Sequence, residues 1–377
     1  MSHLALLIPT LDRIGGAERQ VILIAKGLKR RGWNVSVIAL SGTGAAAAAD
    51  LTASGVAFLS LKMRKGLTDP RGWIRFNHWL RHSSPDVVHA HLPHAAWLAR
   101  WSRLAAPVRV LIDTLHSSHT GSLGRRVGYR LSGWLPDQVT AVSRAVADAH
   151  LAASMAQEIR VLPNGVDTEV WRPDPAVRAS LRRELSLDQE FLWFASGRLD
   201  PVKDYPTLLA ALAQLPPSCR LAIAGAGPGE QELRRQSTAL GLESRVRFLG
   251  FEPNVLRWMQ AADGFVLSSR WEGLPMALLE GASCELPAVA TDVPGTREVI
   301  VEGQTGCLAP PAHPAALSEC MERIMRTPAE ERRTMGKQAR RHVLDNFSLE
   351  SVLDRWHALY RQLLQERPMP LRLGKAD

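Results

Sequence analysis

Two carboxylates, Glu272 and Glu280, lie in the segment Ser-Arg-Trp-Glu-Gly-Leu-Pro-Met-Ala-Leu-Leu-Glu at 269–280. Glu272 belongs to a turn containing Gly273, and an apolar run precedes Glu280, which predicts a helix that begins near Pro275. The free backbone N–H groups of a helix start attract anions, and a nucleotide diphosphate is a natural one. The two acids could then bind the hydroxyl groups of a sugar on one side and of a ribose on the other. The alternative is an acid that favours the helix dipole, followed by a solvated glutamate.

Two cations, Arg198 and Lys203, lie five residues apart in segment 197–206, which follows an apolar strand and precedes a helix. In one strand-to-helix loop they could clamp both phosphates of a diphosphate and neutralise the charge that develops on a leaving group. As surface charges they would have no role. Their position at the carboxyl end of a strand favours the binding interpretation.

Two glycine-containing turns also follow apolar strands. Gly15 and Gly16 precede a helix, so they either let the backbone approach a phosphate or form a simple turn. Segment 225–229 reads Gly-Ala-Gly-Pro-Gly, with its third glycine misplaced for a dinucleotide fingerprint, and Pro228 lacks an N–H group. A structural turn near a nucleotide, which includes Gly227, is therefore favoured over a nicotinamide site.

Three histidines, His89, His91 and His116, lie at predicted strand ends. His89 and His91 share one face of a strand and could be metal ligands, but no third ligand has convincing spacing, so no metal is predicted. His116 enters a loop rich in hydrogen-bond donors. It could bind a sugar hydroxyl or shield developing positive charge, or it could simply cap the strand.

The elements that position these residues repeat in both halves of the chain, where apolar strands alternate with helices. This order predicts parallel doubly wound sheets with ligands at the carboxyl ends of the strands. The turn-rich segment 161–174 marks a domain boundary, and two such halves suggest a cleft between them. The predicted strands are 4–9, 35–40, 87–91, 108–115, 138–142, 191–197, 219–225, 246–250, 264–268 and 287–291.

Composition agrees with a two-domain globular protein, because the chain has 377 residues, of which 46% are hydrophobic and 22% charged. No apolar run approaches the roughly 18–20 residues that span a bilayer. The four cysteines lack a paired C-x-x-C spacing, so reduced, buried thiols in a cytoplasmic protein are expected, with neither a zinc site nor a disulfide.

The positive charge is concentrated in the first half. Residues 1–170 hold 20 Lys and Arg against 11 Asp and Glu, whereas residues 171–377 hold 26 of each kind. Such an excess of positive charge suggests a polyanionic partner, either nucleic acid or an anionic membrane surface, but no nucleic-acid-binding motif is present. Segments 69–82 and 122–134 are basic and aromatic, and each could lie in a membrane interface or pack on the sheet.

Together these motifs resemble the retaining glycosyltransferases of family 4. The family's GT-B fold has two Rossmann-like doubly wound parallel-sheet domains facing a central cleft. The resemblance implies an acceptor-binding domain over 1–170, a donor-binding domain over 171–350, and a helix over 351–377 that packs back on the first domain and ends in a frayed tail. The resemblance covers 15–19, 86–91, 114–116, 142–143, 162–167, 197–203, 225–229, 272–280 and 294–300.

The resemblance also implies residue roles. Gly16 would offer its backbone to the donor diphosphate, Arg198 and Lys203 would bind that diphosphate, and His116 would lie near the reacting end of the sugar. Glu272 would contact the transferred sugar and Glu280 the ribose. The implied catalytic residues are His116, Glu272, Arg198 and Lys203, and the implied donor-binding residues are Gly15, Gly16, Arg198, Lys203, Gly227, Glu272, Gly273, Leu274, Pro275, Met276 and Glu280.

The chain departs from the family pattern at two places. Segment 281–285 reads Gly-Ala-Ser-Cys-Glu where the family usually has Ala-Met-Ala-x-Gly, which could alter the turn before the next strand. Pro294 replaces a commoner glycine before Gly295 and could stiffen the loop around the sugar.

The expected activity is therefore transfer of a sugar from a UDP- or GDP-sugar to a hydroxyl group by front-face substitution, without a metal or other cofactor. The basic first half suggests a lipid-linked sugar acceptor in surface polysaccharide or glycan synthesis, with the enzyme cytoplasmic and peripheral at the inner face of the membrane. The alternatives are a soluble transferase acting on a small cytosolic acceptor and, more remotely, an NAD-dependent sugar-nucleotide epimerase or oxidoreductase. A second mechanism would use Glu272 as a covalent nucleophile.

Overall fold

The chain divides into two compact units. The computed structural model describes residues 1–12, 14–64, 69–106, 108–187 and 189–367. The N-terminal unit comprises residues 1–165 together with 349–367, and the C-terminal unit comprises residues 166–348. The sequence places these boundaries at 170 and 350. The tail that the sequence predicts to fray falls, beyond residue 367, outside the described residues.

The N-terminal unit alternates strands and helices from its first residues. In chain order its elements are β1 His3–Ile8, α1 Gly16–Arg30, β2 Asn34–Ala39, α2 Ala45–Ala53, β3 Ala57–Ser60, α3 Pro70–Ser83, β4 Val87–His91, α4 Pro93–Ser102, β5 Val110–Leu115, α5 Leu123–Leu131, β6 Gln138–Ala141, α6 Arg144–Ala152 and β7 Arg160–Val161.

Its described strands form one parallel sheet in the order β3-β2-β1-β4-β5-β6-β7. Leu4 of β1 lies opposite Val35 of β2 on one side and Val87 of β4 on the other. The strand order therefore reverses between β1 and β4, and in doubly wound sheets ligands bind at the carboxyl ends of the strands beside such a reversal. Residues 4–8 of β1 are fully buried, as expected for a parallel strand covered by helices on both faces.

The C-terminal unit repeats this plan with a second parallel sheet, whose described strands run β10-β9-β8-β11-β12-β13 and reverse between β8 and β11. Its elements are α7 Pro175–Glu184, β8 Phe191–Ser196, α8 Tyr205–Ala213, β9 Cys219–Ala224, α9 Glu230–Ala239, β10 Val246–Gly250, α10 Val255–Ala261, β11 Gly264–Leu267, α11 Met276–Ser283, β12 Ala288–Thr291, α12 Pro294–Arg297, β13 Gly306–Ala309, α13 Pro314–Arg326 and α14 Ala329–Phe347.

The last described helix, α15 at Leu349–Glu366, returns to the N-terminal unit and completes its core. Trp356 and Tyr360 of α15 are buried there. Gly27 of α1 lets the two helices approach closely, because a Cβ atom at this position would lie 2.3 Å from Cδ1 of Leu353.

The expectation of four reduced thiols is wrong, because Cys307 and Cys320 form a disulfide with their Cα atoms 5.8 Å apart. Cys307 lies in β13 and Cys320 in α13, which packs on β13, so tertiary packing rather than a short sequence spacing brings the two sulfurs together. Cys219 and Cys284 are free and buried, in agreement with the sequence.

Candidate active site

In the C-terminal unit, the loop after β8 carries both predicted cations. The Arg198 side chain is 82% exposed, and its guanidinium donates hydrogen bonds to the Asp200 carboxylate, with Nε 2.9 Å from Oδ2. The other oxygen, Oδ1, accepts the backbone N–H groups of Val202 at 3.2 Å and Lys203 at 3.4 Å. Asp200 therefore holds the loop in shape and keeps Arg198 at its surface. Sequence reasoning missed Asp200, although an aspartate that accepts N–H groups two and three residues later is a common turn pattern.

Lys203 reaches from this loop to the turn after β11. Its Nζ atom lies 2.5 Å from Oε1 of Glu272, and the same oxygen accepts a hydrogen bond from Oγ of Ser269 at 2.6 Å. Both charged side chains are largely buried, with 21% of Lys203 and 12% of Glu272 exposed. The structure thus brings together a cation and an acid that the sequence assigns to the diphosphate and to the adjoining sugar.

A close backbone contact supports the Glu272 turn. A Cβ atom at Gly295 would lie 2.6 Å from the carbonyl oxygen of Gly273, so only glycine allows α12 to approach this turn. The Thr291 hydroxyl also donates to the carbonyl oxygen of Ser269 at 2.5 Å. The loop that contains Pro294 is therefore fixed against the turn on the side of β12.

Helix α11 begins at Met276 with Pro275 as its N-cap, where the sequence predicts a helix start. Gly273, Leu274 and Pro275 are buried, and Met276 is half-buried. Glu280 is only 4% exposed, so its alternative interpretation as a solvated glutamate is wrong. Burial, and next the Glu280 charge, raise the pKa of the neighbouring Cys284 thiol to about 12.

The glycine-rich segment after β9 packs directly on the backbone of the Arg198 loop. A Cβ atom at Gly225 would lie 1.9 Å from the carbonyl oxygen of Gly197, and one at Gly227 would lie 2.5 Å from that of Leu199. Backbone hydrogen bonds join the same stretches of chain, since Leu199 donates to Ala226 at 3.2 Å. These glycines therefore position the cation loop, which agrees with the structural turn favoured from the sequence.

In the N-terminal unit, Gly15 is the N-cap of α1 and Gly16 is its first residue. Both are exposed, and the backbone N–H of Gly15 donates to Oε2 of Glu18 at 3.0 Å. This turn follows β1, at the reversal of strand order, and the carboxyl end of β4 lies on the other side of that reversal. The turn is exposed, but its Gly15 N–H already has a carboxylate partner, which a bound anion would have to displace.

The three histidines cluster at the carboxyl ends of β4 and β5. Nδ1 of His91 lies 3.0 Å from Nε2 of His116, while the two ring nitrogens of His89 contact the hydroxyls of Tyr360 at 2.7 Å and Thr114 at 2.6 Å. Burial lowers the pKa of His116 to about 4 and lowers those of His89 and His91 well below the usual histidine value. All three rings are therefore uncharged at neutral pH.

This hydrogen bonding argues against the metal interpretation of the histidines, because both nitrogens of His89 already have protein partners. Across the described residues, no group of three or more His, Cys, Asp or Glu side chains could hold a metal ion. Sequence reasoning missed Tyr360 because it lies on α15, far along the chain from β4.

Two sequence families match the chain, one in each half. Residues 14–170 match "Glycosyltransferase Family 4" and residues 177–342 match "Glycosyl transferases group 1". The putative glycosyltransferase EpsD of Bacillus subtilis is 31% identical over an alignment of 276 positions that covers 69% of this chain and 72% of that protein. The N-acetyl-alpha-D-glucosaminyl L-malate synthase of Bacillus anthracis is 26% identical over 74% of this chain and 76% of its own.

Solved structures of similar fold cover almost the whole chain. Anabaena Alr3699/HepE, crystallised in complex with UDP, has a TM-score of 0.84 and 25% identity, with 96% of this chain and 100% of that chain covered. Sucrose-phosphate synthase from Thermosynechococcus elongatus also has a TM-score of 0.84, at 22% identity over 97% of this chain and 100% of its own, which shows a common fold.

The close approach at Gly225 predicts a loss of stability for Gly225→Ala. We expect the free energy of unfolding, measured by urea denaturation, to fall by about 1–3 kcal/mol, because the new methyl group would meet the Gly197 backbone. Gly241→Ala is the control for a positive φ without a clash, since φ is +66° at Gly241 and +155° at Gly225, but a Cβ atom at Gly241 would have no heavy atom within 4 Å. Equal losses in both variants would show that backbone strain alone matters.

The uncharged histidines predict that stability falls in mild acid. In the unfolded chain His116 has its ordinary pKa of 6.5, whereas in the folded protein its pKa is about 4, so the unfolded state binds more protons between these values. The free energy of unfolding should therefore fall as the pH drops from about 6.5 to about 4, and it should be insensitive to His116 above that range. His116→Gln should lose less stability than the parent across this window in pH-dependent urea titrations; parallel curves would contradict the assignment.

Proposed function

The chain belongs to the group 1 glycosyltransferases of family 4, which use nucleotide sugars, and we propose that it transfers a hexosyl or N-acetylhexosaminyl group from a UDP- or GDP-sugar. We propose further that the acceptor is a hydroxyl group of a lipid-linked sugar and that the anomeric configuration is retained. The observation that carries the proposal is the Lys203–Glu272 pair beside the strand reversal of the second sheet. Family membership also favours transfer over the NAD-dependent alternative.

Donor binding follows from the residues around this pair. Lys203 would transfer part of its interaction from Glu272 to the diphosphate, and exposed Arg198 would supply a second cation from the same loop. Glu272 would then accept a hydroxyl of the sugar, and Glu280 one of the ribose. The backbone of the turn at Gly15 and Gly16 and that of residues 273–276 would contact the donor without contributing side-chain charge.

In the proposed mechanism, the bond between the sugar's anomeric carbon and the phosphate oxygen breaks, and its electron pair stays with the diphosphate. The acceptor oxygen forms its new bond on the same face of the sugar, and its proton passes to an oxygen of the β-phosphate. Arg198 and Lys203 stabilise the charge that develops on the diphosphate, so that we propose no metal or other cofactor. His116 lies near the reacting end of the sugar as an uncharged ring.

The competing mechanism uses Glu272 as a nucleophile, with a glycosyl-enzyme intermediate that the acceptor then attacks. Two donors, Lys203 and Ser269, converge on the single oxygen Oε1 of Glu272, which favours a role for this acid in binding rather than attack. Mass spectrometry of the enzyme after incubation with donor alone distinguishes the two, since a glycosylated Glu272 would establish the covalent route.

An exposed apolar row on α5 supports the membrane side of the proposal. Leu123, Val127, Leu131 and Trp134 line one side of this helix and the residues after it, and 47% to 71% of each side chain is exposed. Segment 114–136 contains Arg125, Arg126 and Arg130 but no acidic residue. A helix with arginines beside an exposed apolar face is suited to an anionic membrane interface.

A buried ion pair fixes the orientation of α5. Arg100 of α4 lies 2.5 Å from Asp113 of β5, and it also donates to the Tyr129 carbonyl at 3.2 Å and to the Ser132 hydroxyl at 2.9 Å. Gly128 packs so closely on Trp97 that a Cβ atom would lie 1.9 Å from the indole ring. The opposite, apolar side of α5 is consequently held outward.

We therefore propose a peripheral enzyme at the inner face of the cytoplasmic membrane. In the described chain, no helix combines the length and apolar character needed to cross a membrane. The alternative is a small cytosolic acceptor, and the relative from Bacillus anthracis is named for a small molecule, L-malate. An enzyme of that kind would be fully active without lipid or detergent.

The donor assignment predicts that Arg198→Ala and Lys203→Ala each abolish thermal stabilisation by the true donor, because each removes one phosphate ligand. The measurement is a thermal-shift screen of UDP-, GDP- and ADP-sugars against the parent and both variants. Arg235→Ala is the matched control, since Arg235 is another exposed arginine of this unit that pairs with a neighbouring acid, Glu232. Unchanged stabilisation in Arg198→Ala and Lys203→Ala would show that these two side chains do not bind the diphosphate.

The membrane assignment predicts that replacing Leu131 and Trp134 together by aspartate lowers vesicle binding by at least about tenfold. Each large apolar side chain that moves from water into the membrane contributes about 1.5–3 kcal/mol to binding. Binding is measured by flotation with vesicles containing anionic phospholipid and with neutral vesicles at low salt. Phe251→Asp, at a residue of the C-terminal unit that is 83% exposed, is the control. If the parent showed no preference for anionic vesicles, this part of the proposal would fail.

A further inference from the structure

Buried hydroxyl groups and His89 form one hydrogen-bonded chain in which every hydrogen can have an acceptor. The Thr140 hydroxyl donates its one hydrogen to the carbonyl oxygen of Asp113 at 3.1 Å. In that arrangement the Thr114 hydroxyl, 2.7 Å from that of Thr140, donates to Thr140 and accepts from Nε2 of His89 at 2.6 Å. Nδ1 of His89 is thereby left as an acceptor for the Tyr360 hydroxyl at 2.7 Å. Every hydrogen in this chain has an acceptor.

The contact between His91 and His116 holds one hydrogen between two nitrogens 3.0 Å apart. It belongs either to Nδ1 of His91 or to Nε2 of His116. In the second case a neutral His91 would carry its own hydrogen on Nε2, which is buried and without a hydrogen-bond partner among the described residues. A buried N–H group without an acceptor costs free energy, whereas an unused lone pair costs less. The first arrangement is therefore the stable one.

The rings of His91 and His116 stay neutral because their surroundings are apolar or uncharged. His91 is only 1% exposed, and burial together with His89 and His116 lowers its pKa well below the usual value. The ring of His89 lies 4.0 Å from that of His91, and Trp356 and Tyr360 of α15 pack on His89. No described ion pair involves any of these side chains. His91 and His116 therefore each carry a single ring hydrogen, and each ring must adopt one of its two neutral tautomers.

We propose that His91 is a positioning residue that holds His116 in the tautomer with hydrogen on Nδ1, so that His116 donates a hydrogen bond from Nδ1 to an oxygen of the transferred sugar. This rests on the proposed role of His116 beside that sugar. Nε2 of His116 accepts from His91, while Nδ1 has no partner among the described residues and the side chain is only half-buried. The imidazole thus presents a neutral donor, suited to a hydroxyl oxygen rather than to a sugar N–H or ammonium group.

The test is nitrogen NMR of the full chain, labelled with ¹⁵N-histidine and without substrate, in which the two nitrogens of each neutral ring reveal the tautomer. His116→Gln identifies the signals of His116. In the parent we expect a protonated Nδ1 and a lone-pair Nε2. His91→Phe should shift His116 towards the tautomer that dominates in water, with hydrogen on Nε2, whereas His91→Asn, whose amide nitrogen lies near the former Nδ1, should preserve the parent pattern.

The activity of the same variants connects the tautomer to the reaction. We expect kcat/KM for the nucleotide sugar to fall by about 2- to 10-fold in His91→Phe, the range expected when one neutral hydrogen bond is lost, and to fall less in His91→Asn. His94→Phe, at an exposed histidine of α4, is the control and should change neither measurement. Thermal denaturation identifies any variant that has failed to fold.

The outcomes separate this inference from the function on which it rests. Hydrogen on Nε2 of His116 in the parent protein overturns the inference, and so does a His116 pattern that is unchanged in a folded His91→Phe. If the tautomer changes in His91→Phe while kcat/KM does not, His91 controls the tautomer as inferred, but His116 does not act on the sugar. Loss of donor binding in the Lys203 variant tests the proposed function without involving either histidine.

Discussion

The ion pair between Lys203 and Glu272 joins the loops that follow β8 and β11, the two strands on either side of the reversal in the second sheet. Its geometry depends on backbone contacts that only glycine permits. Gly225 packs against the loop of Arg198 and Lys203 from the side of β9, and Gly295 packs against the Glu272 turn from the side of β12. A flexible lysine and a glutamate are thus held by rigid neighbours. In the proposed donor complex the charged groups would exchange partners, while the loops that carry them would keep their shape.

The N-terminal unit differs in its electrostatics, because the hydroxyl and imidazole groups buried near its candidate site carry no charge. Hydroxyl groups and imidazoles satisfy one another across β4, β5, β6 and α15, and burial keeps the rings neutral. On the other side of β5, Arg100 and Asp113 do carry a buried charge pair, although burial raises the pKa of Asp113 and Arg100 opposes that shift. That pair orients a helix, whereas the neutral network orients hydrogen-bond donors.

Local patterns predicted much of the framework. The strand at Val87–His91 and the helix start beside Pro275 follow from apolar runs and a residue suited to a helix N-terminus. Short elements such as β7, with two residues, and the helix α2 in an alanine-rich segment were missed because they carry little periodic signal. Contacts made by tertiary packing could not be predicted at all. Tyr360 meets His89 from 271 residues away, and Cys307 meets Cys320 only because α13 packs on β13.

The return of α15 to the N-terminal unit has a consequence for how the protein forms during synthesis. Residues of α15 fill the core beneath β1 and α1, so the N-terminal unit lacks part of its interior until α15, which follows the C-terminal unit in the chain, has been synthesised. The C-terminal unit, by contrast, is contiguous in the chain and has all of its residues earlier. Until α15 has been synthesised, the apolar residues of β1 and α1 that pack on it stay uncovered in the growing chain.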